Sequence, residues 1–314
     1  MGSKIFIDGE AGTTGLQIRD RLAGRRDLDL VSIDPALRKD AGARAEALNG
    51  ADIVILCLPD EAARESVGLI TSDRVRVIDA SSAHRTDPAW VYGFPELAHG
   101  QRDAIARTSR VSNPGCWPTG FLSLVRPLVD SGLVPRDWPL CLHGVSGYTG
   151  GGKSMIADFE DPKSPAFTST AYRLYALGLG HKHLPEMQVH AGLSYPPLFS
   201  PAVGRFAQGM IVEVPLPLAQ LPGAPTPSDI RSALEERYPQ GGLVRVASAD
   251  ESATLKTLEA ESLAGQDGMV LHVFGNAGQV RLAAVLDNLG KGAAGAAVQN
   301  LNLMLGLDER TGLN

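Results

Sequence analysis

Apolar runs and amphipathic stretches alternate along the first third of the chain. Lys4–Asp8 (KIFID) is a short apolar run ended by glycine and predicts a strand. Thr13–Leu22 comes next with helical spacing, Leu16 and Leu22 framing Ile18. Leu28–Ile33 reads as a second strand. Asp52–Leu58 (DIVILCL) is a continuous apolar run, as expected of a strand covered on both faces. Glu61–Ile70 reads as its crossover helix, Arg74–Asp79 (RVRVID) as the next strand and Arg110–Ser112 as a short one. This alternation predicts a parallel, doubly wound α/β sheet of the Rossmann type.

The pattern changes near Cys116. A helix is predicted over Phe121–Val129, a strand over Leu140–His143, a glycine-rich loop over Gly147–Gly152, then loop and helix to about Leu179. Met210–Leu218 is strand-like, and Pro215, Pro217, Pro222, Pro225 and Pro227 interrupt the segment beyond it. Met269–Gly275 and Gln279–Leu286 alternate around Asn276-Ala277-Gly278, the pattern of an antiparallel hairpin. Lys291–Leu305 reads as an Ala-rich helix packed back on the first domain. The expected layout is a nucleotide-binding domain over 1–115, completed by 287–314, and an α+β domain with a mainly antiparallel sheet over 116–286.

Composition narrows the function. A chain of 314 residues is long enough for two ordinary domains. Its net charge of −6, without a lysine- or arginine-rich block, argues against nucleic-acid binding. No run of apolar residues is long enough to span a membrane, and a first strand beginning at Lys4 leaves no room for a leader. Cys57, Cys116 and Cys141 are odd in number and lack CxxC spacing. They read as free thiols in a reducing compartment, the cytoplasm, with no metal site.

Candidate chemistry falls into a few clusters. Gly9-Glu10-Ala11-Gly12-Thr13-Thr14-Gly15 is a GxxGxxG turn between strand and helix. Glycines there let backbone N–H groups approach a pyrophosphate at the helix N-terminus. A glycine-rich turn needs no ligand, but its place directly after the first strand favours a dinucleotide. Asp34 ends the second strand segment, where an acid binds the ribose of NAD. Arg38 and Lys39 come just after it and suit the 2′-phosphate of NADP.

Cys116 lies in Ser112-Asn113-Pro114-Gly115-Cys116-Trp117-Pro118-Thr119-Gly120. Pro118 suits the first turn of a helix, and a thiol at a helix N-terminus is drawn toward thiolate. Cys116 is therefore the candidate nucleophile, with Asn113 orienting it or the substrate carbonyl. Cys57 and Cys141 read as buried thiols. His181-Lys182-His183-Leu184-Pro185-Glu186 supplies candidate bases and a cation; we favour His181 as the base, with Lys182 or His183 nearer the substrate anion. Ser81 and Arg85, at a strand's C-terminal end, and the loop Ser146–Lys153 are further candidates for anion binding, against a plain surface role.

Taken in order, these segments resemble the N-acetyl-gamma-glutamyl-phosphate reductase family in its shorter form. The likeness rests on Gly9–Gly15, Tyr92–Leu97, Asn113–Thr119, Ser146–Lys153, His181–Glu186 and Asp287–Gly295. It departs from the family's longer form at Trp117, where that form carries Tyr, and at Lys153, where it carries Arg. The resemblance implies a Rossmann-type domain, a second domain on an antiparallel sheet, NADPH as hydride donor and a Cys116 thioester. It also implies a homo-oligomer, dimer or tetramer. It adds Asn288 to the cofactor candidates, and Ser146, Lys153, Lys182 and Glu186 beside Arg85 to the substrate candidates. Aspartate-semialdehyde dehydrogenases and lysine-pathway reductases of similar layout are rival readings, as is a non-catalytic NADP sensor.

Overall fold

Strands that are apolar on both faces need cover on both sides, and the first part of the chain supplies it. In the computed structural model, which describes residues 2–38 and 40–314, the chain divides into two compact units. One comprises the residues up to Pro95 with Gly100–Gly115 and Ala293–Leu313; the other comprises Glu96–His99, Cys116–Gly292 and Asn314. Residues 287–292 thus group with the second unit, not with the first as the sequence suggested.

The first unit contains β1 (Ser3–Asp8), α1 (Thr13–Leu22), β2 (Leu28–Val31), α2 (Ala41–Gly50), β3 (Ile53–Leu56), α3 (Asp60–Leu69), β4 (Arg76–Asp79), β5 (Val91–Tyr92), α4 (Gln101–Arg107) and β6 (Arg110–Ser112). All six strands are parallel, in the order β2-β1-β3-β4-β6-β5. Side chains alternate between faces. Ile5, Ile7, Ile53, Ile55 and Ile78 pack with Ile18, Leu22, Ile105 and the C-terminal helix Gly295–Met304. Phe6, Val54, Leu56 and Val77 pack on the other side with Leu48 and Ala63. The sheet grows from β1 in both directions, so the C-terminal end of β1 is a switch point, where ligands bind in such sheets. Arg76 fastens the C-terminal helix by donating to the carbonyls of Ala106, Thr108 and Met304.

The second unit contains α5 (Cys116–Asp130), β7 (Cys141–Gly147), α6 (Gly152–Glu160), β8 (Tyr172–Leu174), α7 (Leu184–Ala191), β9 (Leu198–Gly204), β10 (Met210–Leu216), α8 (Pro227–Arg237), β11 (Val244–Val246), α9 (Ala249–Thr254), β12 (Met269–Asn276) and β13 (Gln279–Leu286). Its sheet runs β11-β12-β13-β10-β7-β9-β8 and is mainly antiparallel, with β7–β9 and β11–β12 parallel. α5 packs on it so closely that a Cβ at Gly120 would lie 2.6 Å from the Val212 side chain. Pro127 lies inside α5 and has no N–H for the Ser123 carbonyl; the Tyr238 hydroxyl donates to that carbonyl instead, at 3.1 Å. Among the described residues no helix is long and apolar enough to cross a membrane.

Several elements depart from the expected pattern. α5 begins at Cys116 itself. The expected loop after β7 is a single helical turn, Tyr148–Gly151, leading into α6. Pro227 opens α8 at its first helical position, and Thr226 and Asp229 form a capping box around it. Lys291 lies in a π turn, Gly290–Ala294, ahead of the C-terminal helix.

Replacing Gly120 by Ala drives a methyl into Val212. Overpacking of this kind costs about 1–3 kcal/mol, so Gly120→Ala should lower the urea midpoint accordingly. An unchanged midpoint would show that Val212 can give way to the added methyl and that Gly120 does not limit the approach of α5 to β10.

Candidate active site

Cys116 is the first residue of α5, where the helix dipole favours a negative charge. A Cβ built on Gly292 would lie 2.7 Å from the Cβ of Cys116, so only glycine fits there. Beside Cys116, four rings close a circuit. Trp117 meets Phe199 edge-on with centroids 5.2 Å apart, and Phe199 meets His181 at 5.1 Å. His181 lies 6.0 Å from Tyr175, and the Trp117 indole N–H donates to the Tyr175 hydroxyl. Burial, and next the charge of Cys116, raise the Tyr175 pKa above the ordinary phenol value. No sequence pattern marks Tyr175; its only signal is its place shortly before His181.

The two histidines are not equivalent. His183 precedes α7 and is buried, whereas His181 is half-buried. Their rings meet edge-on at 4.7 Å, and the His183 backbone N–H donates to Nδ1 of His181 at 3.2 Å. A neutral His181 with Nδ1 as acceptor carries its proton on Nε2. Burial, and then the Lys182 charge, lower the His181 pKa below its usual value, which favours that neutral form. Lys182 is exposed and Glu186 is buried on α7.

Other candidates take structural partners. Asn113 is buried; its side chain donates to the Ala293 carbonyl and accepts from Asn300. Arg85 is buried and donates to the carbonyls of Asn113 and Ala80. Ser81 and His84 both bond Asp79. Asn288 accepts from Gly209 N–H and donates to Thr149, pinning the turn after β7. Ser146 is buried on β7, and Lys153 is exposed at the start of α6. Among the described residues no group of three or more His, Cys, Asp or Glu could hold a metal ion.

In the first unit, the turn Gly9–Gly15 fits a pyrophosphate. A Cβ at Gly9 would lie 2.4 Å from the Cys57 carbonyl oxygen, and one at Gly15 2.5 Å from that of Gly9. The Gly12 N–H closes the turn by donating to the Gly9 carbonyl at 2.9 Å, and Thr13 and Thr14 open α1 half-exposed. A cleft of about 480 Å³ opens beside it, lined by Gly9, Glu10, Ile33, Arg38 and Arg44 among others. Asp34 caps the turn Pro35–Leu37 through the Ala36 N–H. Arg38 lies 3.6 Å from Glu10, and Arg44 bonds Asp8 and Ser66. Arg44 sits in α2, a helix that the hydrophobic pattern does not announce, and Lys39 lies outside the described residues.

The three thiols differ in setting. Burial, with Asp79 and Asp8 adding repulsion, pushes the Cys57 thiol up to about 12. Cys141 is exposed at the start of β7, not buried as expected, because its neighbour Leu142 takes the inward-facing position. Cys116 should react first with iodoacetamide, Cys141 at the rate of an ordinary thiol and Cys57 last, as read by peptide mass spectrometry. Equal rates at Cys116 and Cys141 would remove the helix-terminus argument.

Comparisons with known proteins agree with this layout. Residues 8–107 match the family profile described as the semialdehyde dehydrogenase NAD binding domain, and 116–288 match the semialdehyde dehydrogenase dimerisation domain. Among solved structures, aspartate semialdehyde dehydrogenase II from Vibrio cholerae, complexed with ASA, superposes with a TM-score of 0.70 at 15% identity, over 98% of this chain and 99% of that one. The aspartate semialdehyde dehydrogenase of Francisella tularensis gives 0.70 at 16% identity, over 96% and 100%. These likenesses show the fold. N-acetyl-gamma-glutamyl-phosphate reductases of Brucella ovis and Brucella canis are each 56% identical over 309 residues, 98% of this chain and 100% of theirs. The chain belongs to the N-acetyl-gamma-glutamyl-phosphate reductase family.

Proposed function

We propose that the protein reduces N-acetyl-L-glutamyl 5-phosphate to N-acetyl-L-glutamate 5-semialdehyde and phosphate, with NADPH, in the cytoplasmic synthesis of arginine. The observation that carries this reading is Cys116 at the first position of α5, in a chain 56% identical to reductases of that name over nearly its whole length. The thiolate of Cys116 attacks the acyl carbon; a C–S bond forms, the C–O bond to phosphate breaks, and phosphate leaves. Capture as a thioester gives a better hydride acceptor than a carboxylate. NADPH, when bound, supplies the hydride. The C–S bond then breaks as the aldehyde carbonyl forms, and the thiolate is restored.

The His181 tautomer makes its Nε2–H a hydrogen-bond donor. We assign it to the acyl oxygen as negative charge develops there, in place of the base role expected from the sequence. Lys182, exposed beside it, supplies a cation for an anionic substrate. Gly9, Gly12, Thr13, Thr14 and Gly15 hold the pyrophosphate, and Arg38, with Arg44, favours a 2′-phosphate over a free hydroxyl. Asn113 and Arg85 act through the loop they fasten. Assembly as a homo-oligomer is supported by the dimerisation-domain profile and by an open sheet face on which Tyr172, Leu174 and Leu198 are half-exposed.

The purified protein should reduce NADP with N-acetylglutamate semialdehyde and phosphate, not with aspartate semialdehyde, and Cys116→Ser should abolish this. His181→Ala should lower kcat by on the order of 10²-fold or more. His181→Gln, which keeps an N–H donor, should retain at least several times more activity than the alanine variant. Equal losses in both would return His181 to the role of base.

Cofactor choice offers a separate test. Arg38→Ala should raise KM for NADP by about tenfold, the usual worth of one charge-assisted contact, and leave KM for NAD nearly unchanged. Equal effects on both cofactors would show that Asp34, not the arginine, sets the site.

A further inference from the structure

Lys291 and Glu96 meet inside the second unit, and the proposed chemistry uses neither. The lysine Nζ donates to both carboxylate oxygens, at 2.9 and 3.0 Å, with the side chains 1% and 5% exposed. Taking two charges out of water is costly, and a well-packed apolar pair is often as stable. Stability alone is therefore a weak reason for this pair, and its position says more.

Lys291 lies in the π turn Gly290–Ala294, between two glycines that leave no room for a side chain. A Cβ at Gly290 would lie 2.1 Å from the Gln266 carbonyl oxygen. One at Gly292 would lie 2.7 Å from the Cβ of Cys116 and 3.3 Å from its Cα. The backbone of this turn rests directly on Cys116. A π turn is an uncommon conformation, frequent at functional sites; here the anchor is Lys291. The Glu96 end is fastened in turn. The next residue, Leu97, accepts through its carbonyl from Arg237 of α8, and Arg237 also pairs with Asp130, the last residue of α5, at 2.8 Å. One end of the ion pair is thus tied to the far end of α5, and the other to the backbone against its first residue.

We propose that the Glu96–Lys291 ion pair is a positioning device for Cys116: it holds the π turn so that Gly292 packs on the cysteine and fixes the direction of Sγ. Neither residue is assigned a step of the chemistry; the pair acts through the turn. The proposal rests on reading Cys116 as the nucleophile.

The test uses the full chain and two changes that reach the same contact by different routes. Glu96→Gln with Lys291→Met removes both charges at nearly constant volume. Gly292→Ala pushes the turn away from Cys116 directly. Misplacement of a reacting group by about 1 Å can cost on the order of 10²-fold. Each variant should therefore lose about tenfold or more in kcat and in the rate of Cys116 alkylation by iodoacetamide. KM for aldehyde and cofactor, and alkylation of Cys141, should stay within about twofold. The proposal is overturned if the double variant keeps native kcat and alkylation rate. It is also overturned if Gly292→Ala, which leaves the ion pair in place, changes neither. Should the double variant fail to fold, Gly292→Ala still decides whether the turn orients the thiol. Should the wild-type protein show no turnover with the acetylated substrate, the reading of function fails, while the alkylation rates still decide the role of the pair.

Discussion

Around the first turns of α5 a Cβ has no room at three glycines, and the arrangement of the second unit stems from that constraint. Gly120 meets Val212, and Gly292 meets Cys116. A Cβ on Gly144 would lie 2.0 Å from the Ile211 carbonyl oxygen and 3.1 Å from the Trp117 ring. Glycine in an element interior is entropically unfavourable by roughly 0.5–1 kcal/mol relative to alanine. The apolar length of α5 offsets this, since Phe121, Leu122, Leu124, Val125 and Leu128 are essentially inaccessible, and each such side chain contributes roughly 1.5–3 kcal/mol. With the helix held so close, Trp117 has one place to go, against Phe199 and Tyr175, and that choice brings His181 alongside.

Buried polar groups in both units do the work of alignment. Pro127 deprives Ser123 of its helical donor, and Tyr238 replaces it from α8, so a local defect in α5 becomes a tie between helices. In the first unit, Asn113 is held by Ala293 and Asn300, while its carbonyl accepts from Arg85. Leaving any one of these partners unmade would expose a desolvated polar atom at a cost of about 1–3 kcal/mol. The loop before Cys116 is therefore fixed by polar complementarity, and the helix after it by shape.

What could be read from the sequence was what local pattern encodes. Continuous apolar runs such as Asp52–Leu58 announce the doubly covered parallel sheet, and Asn276-Ala277-Gly278 announces the β12–β13 hairpin of the second sheet. Cys116 stood out because Pro-Gly-Cys-Trp-Pro is a helix-opening signal. α8 was hidden because a run of prolines reads as a break, and only the Thr226–Asp229 capping box reveals that Pro227 starts a helix. The exposure of Cys141 is not legible because the apolar run Leu140–Leu142 does not show which face each residue takes. Tyr175, Arg44 and the Glu96–Lys291 pair depend on tertiary contacts between distant segments, which no periodicity carries. Asn113 and Asn288 were legible as special residues, but not as residues whose side chains bind the protein's own backbone and amides.

The electrostatics of the site divide between backbone and side chains. The N-terminus of α5 favours thiolate at Cys116 through fixed backbone dipoles, which do not titrate. A protonated histidine could do the same, but its charge would vanish as pH rises through its pKa. Burial and Lys182 instead favour neutral His181, and the His183 N–H leaves its proton on Nε2. On the proposed reading, such a neutral donor leaves the thiolate free of a strong ion pair with the ring and keeps a hydrogen bond for the acyl oxygen. The Lys182 charge, on the same reading, adds to burial in favouring the neutral ring and also supplies positive potential for an anionic substrate.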